Sequence, residues 1–334
     1  MNAAAITGPL TLPSASAPAE RRGIERDGVR LLVTNRARST HTHAHFYDFA
    51  EFLREGDLLV VNDSATLPAA LRARRSDGTE LNLHVATAID RRLWIAEPRG
   101  AATPGEVLQL PGSGRATVLA PLDPQAPRLW FTLFDLPAAM YAYLMEHGAP
   151  IRYGYVTEVF PLSDYQTIFA REPGSAEMPS AARPFTPGVL RTLRRHGVGI
   201  ATITLHCGVS SFEAPERPTI ERYSVPPETA ELVNRVRRAG GRVVAAGTTV
   251  LRALESSVHD GISVASQGWT DLIIDERYRL QTADALLTGF HHSAATHQWI
   301  LRAFADTTAL EGAYREAAAA GYYQHEFGDV HLIV

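Results

Sequence analysis

The segment Arg242–Ser257, RVVAAGTTVLRALESS, changes its hydrophobic period within a few residues. Arg242 to Ala246 is a short β-branched, apolar run, which predicts a buried strand. Gly247 interrupts it, and from Thr248 onward Val250, Leu251 and Leu254 recur at helical spacing. A strand that passes through Gly-Thr-Thr straight into a helix belongs to an α/β architecture and leaves backbone N–H groups at the turn. Thr248 or Thr249 is the expected N-cap, and the positive end of the helix dipole favours an anion or carboxylate there. Arg252 and Glu255 follow one turn apart and are expected to reach the same mouth. An ordinary capped helix carries the same pattern, so this segment alone speaks for the fold and not yet for chemistry.

The remaining elements extend that frame. Val29–Thr34 reads as a strand, and Gly56 opens a turn into a buried strand that ends on Asn62 and Asp63. Phe185–His196 and Pro227–Ala239 read as helices, and Gly199–Leu205 as a strand ending at His206. From Leu67 to about Ala149 the texture differs: short alternating runs are separated by Gly, Pro and Asp turns, which predicts a small β-barrel or sandwich. The expected architecture is therefore an α/β main domain with a mostly parallel sheet and flanking helices, plus an inserted small β-barrel domain. Its expected divisions are a loose leader over 1–20, a main domain over 21–66 and 150–334, and the insertion over 67–149.

Composition removes several chemistries. All 32 basic residues are arginine, so lysine Schiff-base and lysine-base catalysis are excluded. A single cysteine, Cys207, excludes a disulfide framework and a cysteine-rich metal site, and fits a reducing compartment. A net charge of −4 gives no global attraction for nucleic acid, which would need a local basic patch. No apolar run approaches membrane-spanning length, so the expected location is cytoplasmic, with no membrane partner. His41, His43 and His45 would share one face of an extended segment, a pattern that can hold a metal. No carboxylate is spaced to complete that site, so a polar edge strand leading into a helix at Phe46 is the expected reading, with no metal. The cluster Arg72, Arg74 and Arg75 fits either phosphate contacts or an exposed strand face.

Strand, helix, strand, helix implies parallel pairing, which puts His206 at the same sheet edge as Gly247–Thr249, on neighbouring strands. Two strand ends converging on one crevice make a better site than either alone.

At this point a series of motifs points to a family. In chain order they are Asn62-Asp-Ser-Ala-Thr-Leu-Pro-Ala-Ala-Leu, Tyr165-Gln-Thr, Pro173-Gly, Thr204-Leu-His-Cys-Gly, Gly247-Thr-Thr-Val-Leu-Arg-Ala-Leu-Glu-Ser, Asp284-Ala-Leu-Leu-Thr-Gly-Phe-His and Phe327-Gly-Asp. The set resembles that of the S-adenosylmethionine:tRNA ribosyltransferase-isomerases of queuosine biosynthesis. The resemblance spans nearly the whole chain past residue 30. It implies an α/β main domain with an inserted β-barrel. It also implies transfer of the ribosyl part of S-adenosylmethionine onto 7-aminomethyl-7-deazaguanine at the tRNA wobble position. The implied product is epoxyqueuosine, with adenine and methionine released, S-adenosylmethionine as co-substrate, and neither metal nor prosthetic group.

The chain departs from the family pattern in its loops. Where the family reads Ala-Pro-Thr-Ala-Gly-Leu-His-Phe, this chain has Met178–Phe185, MPSAARPF, without the glycine and the histidine. His-Val-Gly-x-Gly-Thr-Phe has become His206–Phe212, HCGVSSF; a following segment is shortened to IERYS from Ile220; and Thr-Asn-Phe-His-x-Pro has become TGFHHS from Thr288.

The chemistry can be reasoned from the sulfonium, which acidifies the C5′ hydrogens, so a base can raise an ylide that opens the ribose with loss of adenine. An amine then attacks, and the ring recloses as methionine leaves. His206 and His291 are the candidate bases, and Glu255 completes the catalytic set as a carboxylate for ribose or ammonium. Thr248, Thr249 and Gly247 would receive an anionic group with Arg252 beside them. Asp284 is a further ribose or ammonium partner, and Asn62 and Asp63 would read adenine or ribose. The resemblance adds Tyr165, Gln166, Thr167, Gly208, Thr288 and Phe290 as substrate-binding candidates. The expected partners are S-adenosylmethionine and either tRNA or a small-molecule acceptor, with a monomer as the expected state. Two alternatives stand beside this reading: a sister enzyme that uses S-adenosylmethionine on a small molecule, and a non-catalytic nucleotide- or tRNA-binding protein that kept the scaffold.

Overall fold

The computed structural model describes residues 11–209, 218–291 and 297–334. In chain order, β1 (Arg30–Asn35) and β2 (Thr40–His45) form a hairpin, a 3-10 turn covers Phe46–Phe52, and β3 (Leu58–Asn62) and β4 (Ser64–Thr66) follow. β5 (Ala70–Arg74), β6 (Glu80–Ala88), β7 (Leu93–Pro98), β8 (Val107–Gln109), β9 (Arg115–Pro121) and β10 (Trp130–Asp135) close into an antiparallel barrel, with α1 (Met140–His147) after it. Then come β11 (Glu172–Ser175), α2 (Pro187–Arg195), β12 (Gly199–Leu205), β13 (Glu221–Val225), α3 (Pro227–Arg238), β14 (Val243–Ala246) and α4 (Thr248–Ser256). The chain ends with β15 (Val258–His259), β16 (Ile262–Ser263), β17 (Ser266–Thr270), β18 (Ala285–Gly289), α5 (His297–Phe304), α6 (Thr307–Ala319) and β19 (Val330–Ile333).

Nine strands form the main sheet in the order β17-β13-β12-β3-β14-β18-β19-β1-β2. β12, β3, β14 and β18 are mutually parallel, so their carboxyl ends share one edge. All five residues of β3 and all four of β14 are buried, as continuous apolar runs require when a strand is covered on both faces. One layer packs α3, α4, α5 and α6 over the sheet through Val233, Leu251, Leu254, Leu301 and Leu310. The other packs α2 and the Phe46–Phe52 turn through Val189, Leu193, Phe46 and Phe49. Each fully buried leucine of these layers contributes roughly 1.5–3 kcal/mol. α2, reached from β3 through the barrel, covers one face and α4, directly after β14, covers the other, the change of side at which α/β folds commonly bind ligands.

Two expectations are corrected. β12 and β14 are not neighbours: β3, earlier in the chain, lies between them, so His206 and Gly247 share an edge one strand apart. The leader is not loose over 11–20, where Leu12, Ala15 and Ala19 are buried and Ser14 bridges to Gln324. Its small and proline residues suit an extended strap pressed into a groove, which composition alone reads as disorder; residues 1–10 lie outside the described residues.

β2 is the edge strand, and its histidines have partners: His41 meets Thr34, and His43 meets Tyr322 and Glu316. Among the described residues no group of three metal-ligating side chains occurs, and no helix is long and apolar enough to cross a membrane. Of the arginine cluster, Arg74 pairs with Glu80 and Arg75 with Glu106, while Arg72 is exposed.

Candidate functional site

Asn62, at the end of β3, ties the neighbouring strand ends together. Its Nδ2 donates to Leu205 O at 2.8 Å and reaches Thr249 Oγ1 at 3.4 Å, while its Oδ1 accepts from the backbone N–H groups of Leu205 and Ser64, each at 3.0 Å. A buried amide with donors and acceptors both engaged acts as a clip between β12 and α4, not as a reader of adenine or ribose. Asp63 stays half-buried at the edge, where its Oδ1 accepts the Thr204 hydroxyl at 2.6 Å and burial pushes its carboxyl up.

His206 follows β12 directly. Its Nδ1 lies 2.8 Å from Ser64 Oγ, which lies 2.6 Å from Ser175 Oγ, and Ser175 accepts from Cys207 N at 2.9 Å. Burial, and then the Arg222 guanidinium, push the imidazole down from its ordinary value, with Glu172 opposing, so it is neutral at pH 7. Gly174 on β11 explains the Pro173-Gly174 motif: a Cβ there would sit 2.4 Å from His206 Nδ1. Gly208 N donates to Glu221 Oε1 at 3.0 Å, and a Cβ at Gly208 would touch Thr87 of the barrel at 3.4 Å. Val209, Ala176 and Ile220 belong to the barrel's own apolar cluster, so the barrel leans on the segment that carries His206. The rest of that motif, 210–212, lies outside the described residues.

The start of α4 differs from expectation. Gly247, at φ 111° and ψ 151°, is the N-cap, and no side chain caps the helix; Thr248 and Thr249 are its first residues. That backbone region is essentially reserved for glycine, so the tight turn demands it. The first N–H groups of α4 thus open at the carboxyl edge without a side-chain cap, and the segment Ser180–Ala182 passes close by, with Ala181 Cβ 3.5 Å from where a Gly247 Cβ would be. Arg183, in the altered loop, is itself buried and pairs with the exposed Glu20 at 2.9 Å.

Arg252 and Glu255 do not reach this mouth. Arg252 is buried, pairs with Glu221, and donates to the carbonyls of Leu272, Thr219 and Thr270. Glu255 accepts from the backbone N–H groups of Gln281 and Thr282, and from the hydroxyls of Thr282 and Tyr278. Charged residues on a helix normally mark its solvent face; here β13, β17 and the 271–283 segment wrap α4, so its charges became internal anchors. Asp284 is at the opposite edge: it accepts from Val243 N at 2.9 Å, where β14 begins. Phe290 is core, fully buried with its ring stacked on His331 at 5.4 Å. Thr288 is buried and its Oγ1 lies 3.3 Å from His291 Nε2, which leaves His291 at the carboxyl edge beyond β18. Tyr165, Gln166 and Thr167 brace the β4–β11 flank. The Gln166 amide bonds both backbone groups of Thr66, Tyr165 packs with Phe327, its phenol pushed up to about 12 chiefly by burial, and Thr167 caps Phe169 N.

Five side chains at this edge escaped the sequence reading. Tyr153 OH donates to Glu177 and Tyr155 OH donates to Glu326; the two phenol rings stack at 6.1 Å, and Tyr155 stacks on His325 at 4.4 Å. The group spans the edge, because His325 N bonds Phe290 O at 3.1 Å on the β18 side and Ala176 N bonds Cys207 O at 2.8 Å on the β12 side. Burial above all pushes the Glu326 carboxyl up to about 7, a value suited to proton transfer at neutral pH. These residues stand in loops without period; the only available signal was their position beside the Pro173-Gly and Phe327-Gly-Asp motifs.

Comparison with known proteins adds identity to this geometry. The family model described as "Queuosine biosynthesis protein" matches residues 11–333. A Thermus thermophilus protein named S-adenosylmethionine:tRNA ribosyltransferase-isomerase is 37% identical, covering 94% of this chain and 95% of its own length. A Moorella thermoacetica protein of the same name is 36% identical, with coverages of 92% and 94%. The crystal structure of a Thermotoga maritima S-adenosylmethionine tRNA ribosyltransferase is similar with a TM-score of 0.56 and 28% identity, over 97% of this chain and 98% of that one.

Proposed function

The chain belongs to the queuosine biosynthesis protein family, and on that premise we propose that it transfers the ribosyl part of S-adenosylmethionine to 7-aminomethyl-7-deazaguanine in tRNA. The product is epoxyqueuosine, and adenine and methionine leave. The observation that carries this reading is the His206 imidazole, held through Ser64 and Ser175, one strand away from the uncapped start of α4 along a single sheet edge.

His206 is the base. When its Nδ1–H donates to Ser64 Oγ and the Ser64 hydroxyl donates to Ser175 Oγ, Nε2 keeps the lone pair that removes a C5′ proton. The electron pair left on C5′ opens the ribose, and the C1′–N bond breaks as adenine departs with a proton. The acceptor amine then forms the new C–N bond, and the C–S bond breaks on ring closure, releasing methionine. The methionine carboxylate lies at the first N–H groups of α4, where the helix dipole favours negative charge. Glu326 and His291, flanking the edge, exchange protons with the departing adenine and the incoming amine. We also take 67–149 as the inserted unit, since Ala70 and Ala149 exchange two backbone hydrogen bonds where the chain enters and leaves the barrel. Reducing conditions suit the buried, unpaired Cys207, which supports a cytoplasmic setting.

Incubation with S-adenosylmethionine tests the assignment. Adenine and methionine are expected only when precursor-bearing tRNA is present; release driven by a small amine with tRNA inert would refute the tRNA acceptor.

A further inference from the structure

The sheet continues past the site as β12, β13 and β17, and its two faces differ. Ile203, Leu205, Tyr223 and Val225 point into the core. The opposite face carries His206, Arg222 and Trp269 in one row: His206 N bonds Arg222 O at 3.0 Å, and Arg222 is paired directly with Trp269. Side chains directly opposite one another on antiparallel strands share a face, and strands lie about 4.8 Å apart, so the row runs roughly 10 Å outward from the imidazole. A second row places Thr204, Ser224 and Gln267 beside it. Arg222 is exposed, Trp269 is 44% exposed, and Tyr141 of α1, close enough to feel the Arg222 charge, is 39% exposed. Burying Trp269 or Tyr141 in the core would have been favourable; exposed beside an arginine, they form a surface with π-faces and a guanidinium plane. Asp63, Glu172 and Arg171 border it, so the local charge is mixed, which suits base faces and edges better than a run of phosphates.

We infer that this outer face of β12, β13 and β17 is a stacking platform for the unpaired tRNA nucleotides adjoining the base under modification. The inference rests on the tRNA reading above. A base held at His206 has chain neighbours that must leave along the surface, and this row is continuous with that position. Single-stranded RNA is held by stacking on aromatic rings and arginine planes, with side-chain hydrogen bonds to base edges, the roles open to Trp269, Arg222 and the Thr204–Ser224–Gln267 row.

The test titrates a labelled anticodon stem-loop RNA into wild-type enzyme and into Trp269→Ala, Trp269→Phe and Arg222→Ala, with S-adenosylmethionine affinity measured in parallel. Trp269→Ala is expected to weaken RNA binding by roughly 5-fold to 150-fold, the range for losing one base stack, while S-adenosylmethionine affinity holds. Trp269→Phe should recover most of that loss, and the RNA-induced quench of tryptophan emission should vanish in it. RNA affinity unchanged in both alanine variants overturns the platform and leaves the tRNA reading standing. A wild-type enzyme that binds no stem-loop and turns over without RNA overturns both. Equal affinity for a fully duplex RNA, or loss of self-association in place of RNA binding, overturns the platform alone.

Discussion

Replacing Gly174 by alanine isolates the positioning of His206 from its chemistry. The φ of Gly174 lies outside the left-handed range, so alanine adds no backbone strain, and the added Cβ is the only change. That atom would meet His206 at 2.4 Å from Nδ1, 2.6 Å from Cε1 and 2.7 Å from Cγ. Carbon contacts settle near 3.5–4.0 Å, so the ring must retreat by about 1 Å. The retreat strains or breaks the 2.8 Å contact with Ser64, which sets the tautomer. Overpacking of this kind lowers stability by about 1–3 kcal/mol, a loss a domain of ordinary stability survives folded. A displacement near 1 Å in a reacting group reduces turnover on the order of 100-fold, equivalent to about 2.7 kcal/mol of barrier. The assay is kcat and KM for adenine release with precursor-bearing tRNA, beside urea unfolding of the same preparation. In the double variant with His206→Ala the alanine at 174 should do no further harm, because both changes act on one group. If Gly174→Ala kept kcat within about threefold of wild type, or if the two losses simply multiplied, His206 would not be the group that Gly174 positions.

Other perturbations separate site from scaffold. Arg252→Ala leaves Glu221 buried without its partner and should lower stability by about 3–5 kcal/mol, while the folded fraction keeps its KM for S-adenosylmethionine; a raised KM at unaltered stability would make Arg252 an anion ligand after all. Gly247→Ala forces a side chain into φ 111° and should cost about 1–3 kcal/mol by denaturation and weaken S-adenosylmethionine binding by calorimetry; wild-type values for both would remove the turn from the site. Glu326 binds its proton more tightly folded, up to about 7 against 4.5, so wild-type stability should fall as pH rises from 4.5 towards 7 and level off above. Glu326→Gln should abolish that slope in urea titrations at pH 5 and pH 8; parallel curves for the two proteins would show that the carboxyl is not raised.

Much of the frame was legible because period and punctuation are local. The change at Gly247 from β-branched run to helical spacing, and the turn-separated runs between Leu71 and Leu133, correspond to β14–α4 and to the closed barrel. His206 at a strand end was legible for the same reason. What failed depended on contacts distant in sequence. Nothing local tells that β3 sits between β12 and β14, so Asn62 read as a ligand-facing residue when it is the clip between them. Arg252 and Glu255 read as residues of the mouth because the wrapping strand β17 and the 271–283 segment, which take their charges inside, follow later in the chain. Asp284 read as a ribose or ammonium partner, yet it lies where β14 begins, because a motif gives spacing without the direction of the strand it precedes. The Tyr153–Glu177 and Tyr155–Glu326 pairs join residues 24 and 171 positions apart, which no periodicity can announce.

A crystal structure of the protein with S-adenosylmethionine bound bears most directly on the mechanism. The sulfonium is expected at the shared ends of β12, β3 and β14, with C5′ within hydrogen-bonding reach of His206 Nε2 and the methionine carboxylate on the N–H groups of Thr248 and Thr249. Density for the nucleoside at the opposite edge, by Asp57 and Asp284, or inside the barrel would contradict it.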